Sequence, residues 1–308
     1  MAIFSACALI AALITPFVIT LVILRIMHKA GATGWQPVDL GEYIKFTLGT
    51  VAFTIGATLT DGTATGVIRD YYVTSGTFAT NDAAGYIALD AVASGPFGAA
   101  AVITDGVGGS AYSNGTNVAV ALQPGGRYDF VTENVFGGVE DIAMFFVNGE
   151  GDAWQFSRND ACLPMEHGVA ANPTHVGTYR KHIMLGFDEG AFVFSQPGIP
   201  LGWSAILSAG QYGVGDKISG FKTLASAFLV LCESHTYVLY GTSKSTFELD
   251  EFEDQVGGVP WSIQTVSSTF FVNHSGIVDF KAVQEYGNFS DAAISERIRP
   301  YITGRVNN

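Results

Sequence analysis

The chain has 308 residues, with 15 Lys or Arg against 28 Asp or Glu, so its formal net charge at pH 7 is −13. Charged residues make up only 14% of it and Gly occupies 37 positions, which favours short strands joined by glycine turns. A surface that binds phosphates needs an excess of cations, so this balance argues against ordinary nucleic-acid binding. An acidic wall repels a polyanion and suits a conduit that DNA slides through, although solubility alone also explains the charge.

The N-terminal segment is apolar, and we predict a helix within residues 1–37. Residues 2–24 form an uncharged run, and this run is long enough for one helix to cross a bilayer. Arg25 and Lys29 follow this run, and cations flanking a membrane helix favour the cytoplasmic side. A true anchor would therefore keep residues 30–308 in the cytoplasm. No basic residue precedes the run, which argues against a cleaved signal peptide. An anchor, a helix packed against partner subunits and a translated upstream extension all stay open.

Residues 38–120 predict a small β domain, either a sandwich or a barrel. Short β-prone runs cover 43–47, 51–55, 67–73 and 85–89, with turn pairs between and after them at Asp61-Gly62, Ser75-Gly76 and Gly95-Pro96. Gly supplies positive φ in such turns and Asp supports tight ones. Residues 91–117 are rich in Ala, Gly and Ser, a composition that could include an exposed loop or linker.

Residues 121–308 predict a domain of β-propeller type. Four units, beginning at 141, 182, 227 and 269, each pair a buried apolar run with an amphipathic run across a turn. The separations are 41, 45 and 42 residues, which is the period of a four-stranded propeller blade. Each hairpin can bury its apolar face only against a neighbour, so successive sheets should pack together. Four units lie at the lower limit for a closed propeller, so further strands or another polypeptide could complete the circle.

Motifs for catalysis and metal binding are missing from the sequence. Cys7, Cys162 and Cys232 form no Cys-x-x-Cys pair, and the six histidines lack ligand spacing. No phosphate loop or nucleophile elbow is present. The acidic run 248–254 alternates charge with apolar residues, which is typical of a solvated strand edge rather than of paired catalytic acids, and a calcium site there is the weaker alternative. We therefore predict no enzyme activity, cofactor or metal.

An ordered series of landmarks in the second half carries a family resemblance. The landmarks are Gly125–Phe130, Phe194–Trp203, Gly215–Gly220, Tyr237–Ser243, Gly257–Gln264 and Gly276–Phe280. Together they resemble the propeller region of the tail nozzle proteins of short-tailed bacteriophages, also called tail tubular or stabilisation proteins. Residues 54–111 resemble a β module found beside that propeller. The likeness covers roughly residues 40–305.

The resemblance implies a structural protein of the virion tail that takes part in DNA ejection. It implies a homo-oligomer, a hexameric ring around the DNA channel, attached to the portal or adaptor and bearing distal parts such as fibres or spikes. Two alternatives stay open: a membrane-anchored β-propeller that binds a ligand, and a carbohydrate-active propeller. The Ser-x-Asp-x-Gly-x-x-Trp box of sialidase blades is absent, which argues against the latter.

The residues that we single out are structural. We expect three tryptophans to anchor packing within or between blades and three glycines to sit at turns, namely Trp154, Trp203, Trp261, Gly220, Gly241 and Gly276. Candidates for acids on a channel wall or an outer surface are Asp250, Glu251, Glu253 and Asp254.

Overall fold

The computed structural model describes residues 27–29, 35–138, 141–253, 256–265, 268–273 and 276–280. Strands β1 (Met27–Lys29) and β2 (Trp35–Pro37) pair antiparallel. The helix predicted within residues 1–37 is therefore wrong for these two segments, where Gly31 and Gly34 in the connection and Pro37 at its end favour a hairpin. The apolar run 2–24 lies outside the described residues.

The fold is all-β, as the composition predicts. In the described part of the chain the helical residues are four 3-10 turns of three residues and Phe280 at its end; the turns are Phe78–Thr80, Arg158–Asp160, Ala205–Leu207 and Lys244–Thr246. None of the helices described has the length and apolarity needed to cross a bilayer. Two compact units contain the chain: one holds residues up to Gly126 together with Trp154–Pro164, and the other holds Arg127–Ala153 and Met165 onward.

The first unit contains a closed antiparallel barrel. Its strands are β3 (Glu42–Val51), β4 (Thr58–Thr60), β5 (Thr65–Ser75), β6 (Ala83–Leu89), β7 (Val102–Thr104), β8 (Ser110–Ser113) and β9 (Val118–Ala119). The order is β6-β5-β4-β7-β8-β3-β9, and an added pairing of β6 with β3 closes the sheet on itself. Closure satisfies the edge hydrogen bonds of these strands.

Inward-facing apolar side chains fill this barrel. On β3, Ile44 and Phe46 are buried while their neighbours are more exposed, which is the alternation expected of a strand with one buried face. Ile87 of β6 lies opposite Ile44 on one side and Tyr71 on the other. The fully buried aromatics of the barrel core are Phe46 and Phe97.

One local expectation for the barrel was wrong. Of the run 51–55, only Val51 belongs to a strand, because the chain turns after it and the Thr54 N–H binds the Asp105 carboxylate at 2.8 Å. The stretch 91–117 includes loops at 91–101 and 105–109, and it also contains the strands β7 and β8. The small residues there pair as short strands, and Ile103 and Ala111 point into the core. Gly62, Gly76 and Gly95 adopt positive φ, as their turn pairs predict.

Four-stranded antiparallel sheets repeat along the second unit. One has the order β14 (His175–Tyr179), β15 (His182–Phe187), β16 (Ala191–Phe194), β17 (Gly210–Gly213). The next has the order β18 (Ile218–Thr223), β19 (Phe228–Cys232), β20 (Thr236–Tyr240), β21 (Glu248–Glu253). Each sheet is a simple meander, so the predicted period corresponds to one sheet.

Further strands precede and follow these two sheets. Strand β10 (Asp129–Glu133) pairs antiparallel with β11 (Ala143–Val147). The segment Trp154–Pro164 of the first unit carries most of β12 (Ala153–Phe156) and β13 (Cys162–Met165). A last sheet holds β22 (Gln264–Thr265), β23 (Thr269–Asn273) and β24 (Gly276–Asp279) in that order.

The hairpins predicted from the repeat are confirmed as strand pairs β15–β16, β19–β20 and β23–β24. Aromatic packing holds successive sheets together. Tyr179 of β14 and Phe228 of β19 have ring centroids 5.7 Å apart, and Phe192 of β16 lies 6.0 Å from Phe221 of β18. Gly177 and Gly186 make room for the Phe221 side chain, because a Cβ on either would approach it within 3.1 Å or less. The core of the second unit therefore lies between sheets.

Candidate functional site

A cavity of about 590 Å³ lies within the second unit, and the first strand of each sheet lines it. Strands β10, β14, β18 and β22 all contribute to its wall. Strands β10 and β14 are joined by the Val176 N–H, which donates to Asp129 Oδ2 at 3.0 Å. Strands β14 and β18 are joined by the Thr223 hydroxyl, which donates to the Thr178 carbonyl. The first strands of the repeats thus meet around one space.

Three side chains stack at the starts of these strands. The Arg127 guanidinium lies over the Trp261 ring, 4.8 Å from its centroid. The His175 ring stacks on Trp261 with centroids 5.1 Å apart and planes 23° from parallel. Trp261 has φ 60°, in the left-handed region that a bulky residue rarely adopts. The surrounding contacts therefore hold Trp261 in a strained backbone conformation, a feature that concentrates at functional sites.

Burial shifts the ionisation of two groups in the cavity wall. Desolvation raises the pKa of Asp129 to about 6, and the hydrogen bond from Val176 only partly opposes it. Desolvation lowers the pKa of His175 to about 4, so its imidazole is neutral at pH 7. Perturbed groups that line a cavity mark a candidate binding site.

Two buried donors in the stack lack hydrogen bonds of normal geometry. The Trp261 Nε1–H is buried without a partner. His175 is 2% exposed; its Nδ1 lies 3.0 Å from the Thr174 hydroxyl, whereas Nε2 faces the Ser219 backbone without a well-formed hydrogen bond. Such groups are few in native proteins, and each calls for an explanation, an unseen water or ligand among them.

The cations of the cavity form no salt bridge with the described residues, although the charge of Arg127 acts on Asp129 and lowers its pKa against the effect of burial. Neither Arg127 nor Lys222 makes a salt bridge to any described residue, although the whole chain has 13 more acids than bases. Asp129 and Glu133 also line the cavity. No group of three or more His, Cys, Asp or Glu side chains in the described ranges could hold a metal ion.

The tryptophans and glycines singled out from the sequence lie at separate places. Trp261 and Gly220 line the cavity. Trp154 is buried, and Trp203 packs edge-on against His167 with centroids 6.1 Å apart. Gly241, just after β20, has φ 105°, and Gly276, the first residue of β24, has φ 123°, so both adopt conformations that favour glycine. The turn expected at Gly220 is wrong, because Gly220 lies within strand β18.

The predicted acids lie on the outer strand of their sheet. Asp250 and Glu251 belong to β21, the fourth strand after β18, and both are exposed. Glu253 ends the same strand, and Asp254 lies outside the described residues. Neither Asp250 nor Glu251 lines the cavity, whose wall is formed mainly by first strands.

Sequence reasoning missed Arg127, Asp129, His175 and Lys222. These residues belong to or adjoin first strands, which are polar or glycine-rich and lack the apolar runs that revealed the hairpins. A usable signal was the spacing of the repeat itself, because a four-stranded unit requires one more strand before each predicted hairpin.

Comparisons by sequence with known proteins identify no relative. No family model matches the chain, and no curated protein matches its sequence. Among solved structures, one match is a crystal structure of BBS1N in complex with ARL6DN, soaked with lead. The sequence identity is 13% and the TM-score is 0.35. The match covers 70% of this chain and 65% of that chain, so this chain spans just under two thirds of that structure's length. A likeness at this TM-score carries no argument about function.

Proposed function

We propose that this chain is a structural component of a bacteriophage tail, of the nozzle type, which assembles with other copies and conducts DNA without binding it. The proposal rests on the ordered landmarks of the second half. The observation that carries it furthest is the repeat of four-stranded meanders whose first strands surround one space, because blade-like repeats are suited to scaffolding.

The cavity is narrower than DNA, which bears on where a conduit for DNA could lie. A sphere of 590 Å³ is about 10 Å across, narrower than the major groove of DNA, which alone is about 12 Å wide. DNA is therefore too wide for this cavity, and a channel between copies would supply the conduit. Closed point-group symmetry is the usual way in which identical chains assemble.

The charge supports passage without adhesion. Glu248, Asp250 and Glu251 are exposed on β21, which ends its sheet. Acids on an edge strand discourage pairing with another strand, so β21 is a poor candidate for a sheet-to-sheet contact between copies. If β21 faced a channel, its carboxylates would repel the phosphates of passing DNA.

The test is the oligomeric state of the chain purified without detergent. We expect the full chain to form a single ring-sized species in mass photometry and in light scattering at tens of micromolar, alone or after mixing with a portal and adaptor. A matched chain that begins at Gly34 shows whether residues 2–24 contribute to assembly. Recovery of the full chain only from membranes, together with a monomeric Gly34 version, would refute the proposal and favour an anchored binding module.

A further inference from the structure

We propose that one outer face of the barrel in the first unit is an interface through which two copies of this chain pair, face to face. The inference concerns the barrel alone and does not rest on the proposed tail function. It starts from the side chains that point outward where β4, β7, β8 and β3 run side by side.

Cross-strand pairing sets the members of this face, which form two rows. Residues directly opposite one another in an antiparallel pair point to the same side of the sheet. Ile103 of β7 and Ala111 of β8 point into the core, so their neighbours in the strand point outward. The first row is Thr47, Tyr112 and Val102, and the second is Val51, Ser110, Thr104 and Thr60. We call these seven residues the barrel face.

The barrel face presents apolar side chains to solvent. Tyr112, Val102 and Val51 are each 45–50% exposed. Leu48 lies beside them on β3 and is exposed as well, and Val107, in the turn between β7 and β8, is 69% exposed. The solvated side of an antiparallel sheet is normally polar, and contiguous exposed apolar patches mark interaction sites. The barrel face therefore offers apolar area for a partner to cover.

The charge pattern identifies that partner as a second copy of the chain. Residues 38–120 contain seven acids and two bases, and the whole chain has a net charge of −13, so two copies repel each other in general. The barrel face itself consists only of Thr, Ser, Val and Tyr, and Lys45, two residues before Thr47 on β3, lies at its border. Two such faces can meet without placing acids opposite acids.

The geometry suits a face-to-face contact of modest strength. Two sheets pack on each other through their side chains, as in a β-sandwich. The outside of a barrel is convex, however, so the contact is confined to the two rows and the turns beside them. We therefore expect the pairing to be visible at tens of micromolar rather than at nanomolar concentrations, since weak interfaces are the smaller ones.

The test is analytical ultracentrifugation of the full chain at tens of micromolar without detergent. Val102→Asp should reduce the weight-average mass by about half, because a two-fold contact joins copies in pairs and the substitution places a carboxylate on both sides of it. Val118→Asp is the matched control, because Val118 is a similarly exposed valine on β9, which pairs with the other end of β3. Its mass should equal that of the parent. Thermal melts of both variants show whether each is folded.

Photo-crosslinking identifies what covers the barrel face in the full chain. With p-benzoylphenylalanine in place of Tyr112, and with an isotope-labelled second copy, we expect crosslinks to the barrel face of that copy. Three outcomes would overturn the proposal: a monomeric parent, an equal mass for Val102→Asp and the parent, or crosslinks that lead to residues 2–24 or to another surface. The second outcome leaves the tail function standing, because copies would then assemble through a different contact.

Discussion

Replacing Asp129 with Asn should stabilise the protein at neutral pH and have little effect near pH 4. Burial raises the pKa of Asp129 from 3.8 to about 6, so the folded state holds this proton longer than the unfolded state does. Stability is therefore lost as pH rises between these two values, and the loss is complete above about pH 6. Asn keeps an oxygen that can accept the Val176 N–H, and it has no charge to bury.

The pKa difference sets the size of this effect. About 2.2 pKa units at about 1.4 kcal/mol per unit give about 3 kcal/mol. Asp129 is partly exposed to the open cavity, so screening reduces the expected gain to about 1–2 kcal/mol at pH 7.5.

The wild-type pH curve alone does not reveal this gain, because His175 acts in the opposite sense. Its pKa falls from 6.5 to about 4 on folding, so the stability it contributes is lost as pH falls through that window. The decisive quantity is the difference between Asp129→Asn and the parent, from urea unfolding at pH 4.5, 5.5 and 7.5. Glu133→Gln, at an exposed cavity position, is the control. A gain that does not change with pH, or a loss of stability at pH 7.5, would refute the reasoning.

Three other predictions concern packing, the ion pair between half-exposed Arg158 and buried Asp70, and DNA. Phe228→Ala should cost about 3–5 kcal/mol in urea unfolding, because its ring is fully buried beside Phe221 and the sheets cannot close the space; a cost below about 1 kcal/mol would contradict this. Arg158→Ala should reduce the free energy of unfolding by about 1–3 kcal/mol, because the Arg158 Nε–H donates to the buried Asp70 Oδ2 at 3.1 Å. Adding Asp70→Asn should recover part of this loss. Additive effects of the two substitutions would argue against an interaction between the two side chains. Duplex DNA should not be retained by the chain in filter binding at 50 mM salt, whereas salt-sensitive retention would contradict repulsion by an acidic surface.

The sequence predicted the second and third strands of the repeats better than the first and fourth. Strand β19 (Phe228–Cys232) is a continuous apolar run because both of its faces are buried, and such runs stand out without any structure. First strands such as β14 contain His175 and Gly177, which do not favour a strand by local propensity. They fit the neighbouring sheet instead, because His175 packs against Phe221 and Gly177 leaves room for it. The cavity is built from these first strands, so sequence reasoning missed it.

Barrel closure was equally beyond local reasoning. The alternation on β3 predicts a strand with one buried face, which a sandwich and a barrel share. Whether the sheet forms a sandwich or a barrel depends on the pairing of β3 with β6, and those strands lie more than 30 residues apart in the chain. Trp261 was selected as a packing anchor, yet its positive φ depends on the chain around it and has no local signature.

The ion pair between Arg158 and Asp70 links the barrel to a part of the chain that is synthesised later. The barrel strands end by Ala119, but the first unit also contains Trp154–Pro164, and the residues from 127 to 153 intervene. During translation, Asp70 therefore exists before its cation does. At about 5–20 residues per second, the ribosome needs on the order of a few seconds to deliver that segment. Through this interval a nascent barrel lacks the cation that pairs with Asp70, so the carboxylate has only water and its own unit's neighbours for partners until Arg158 emerges.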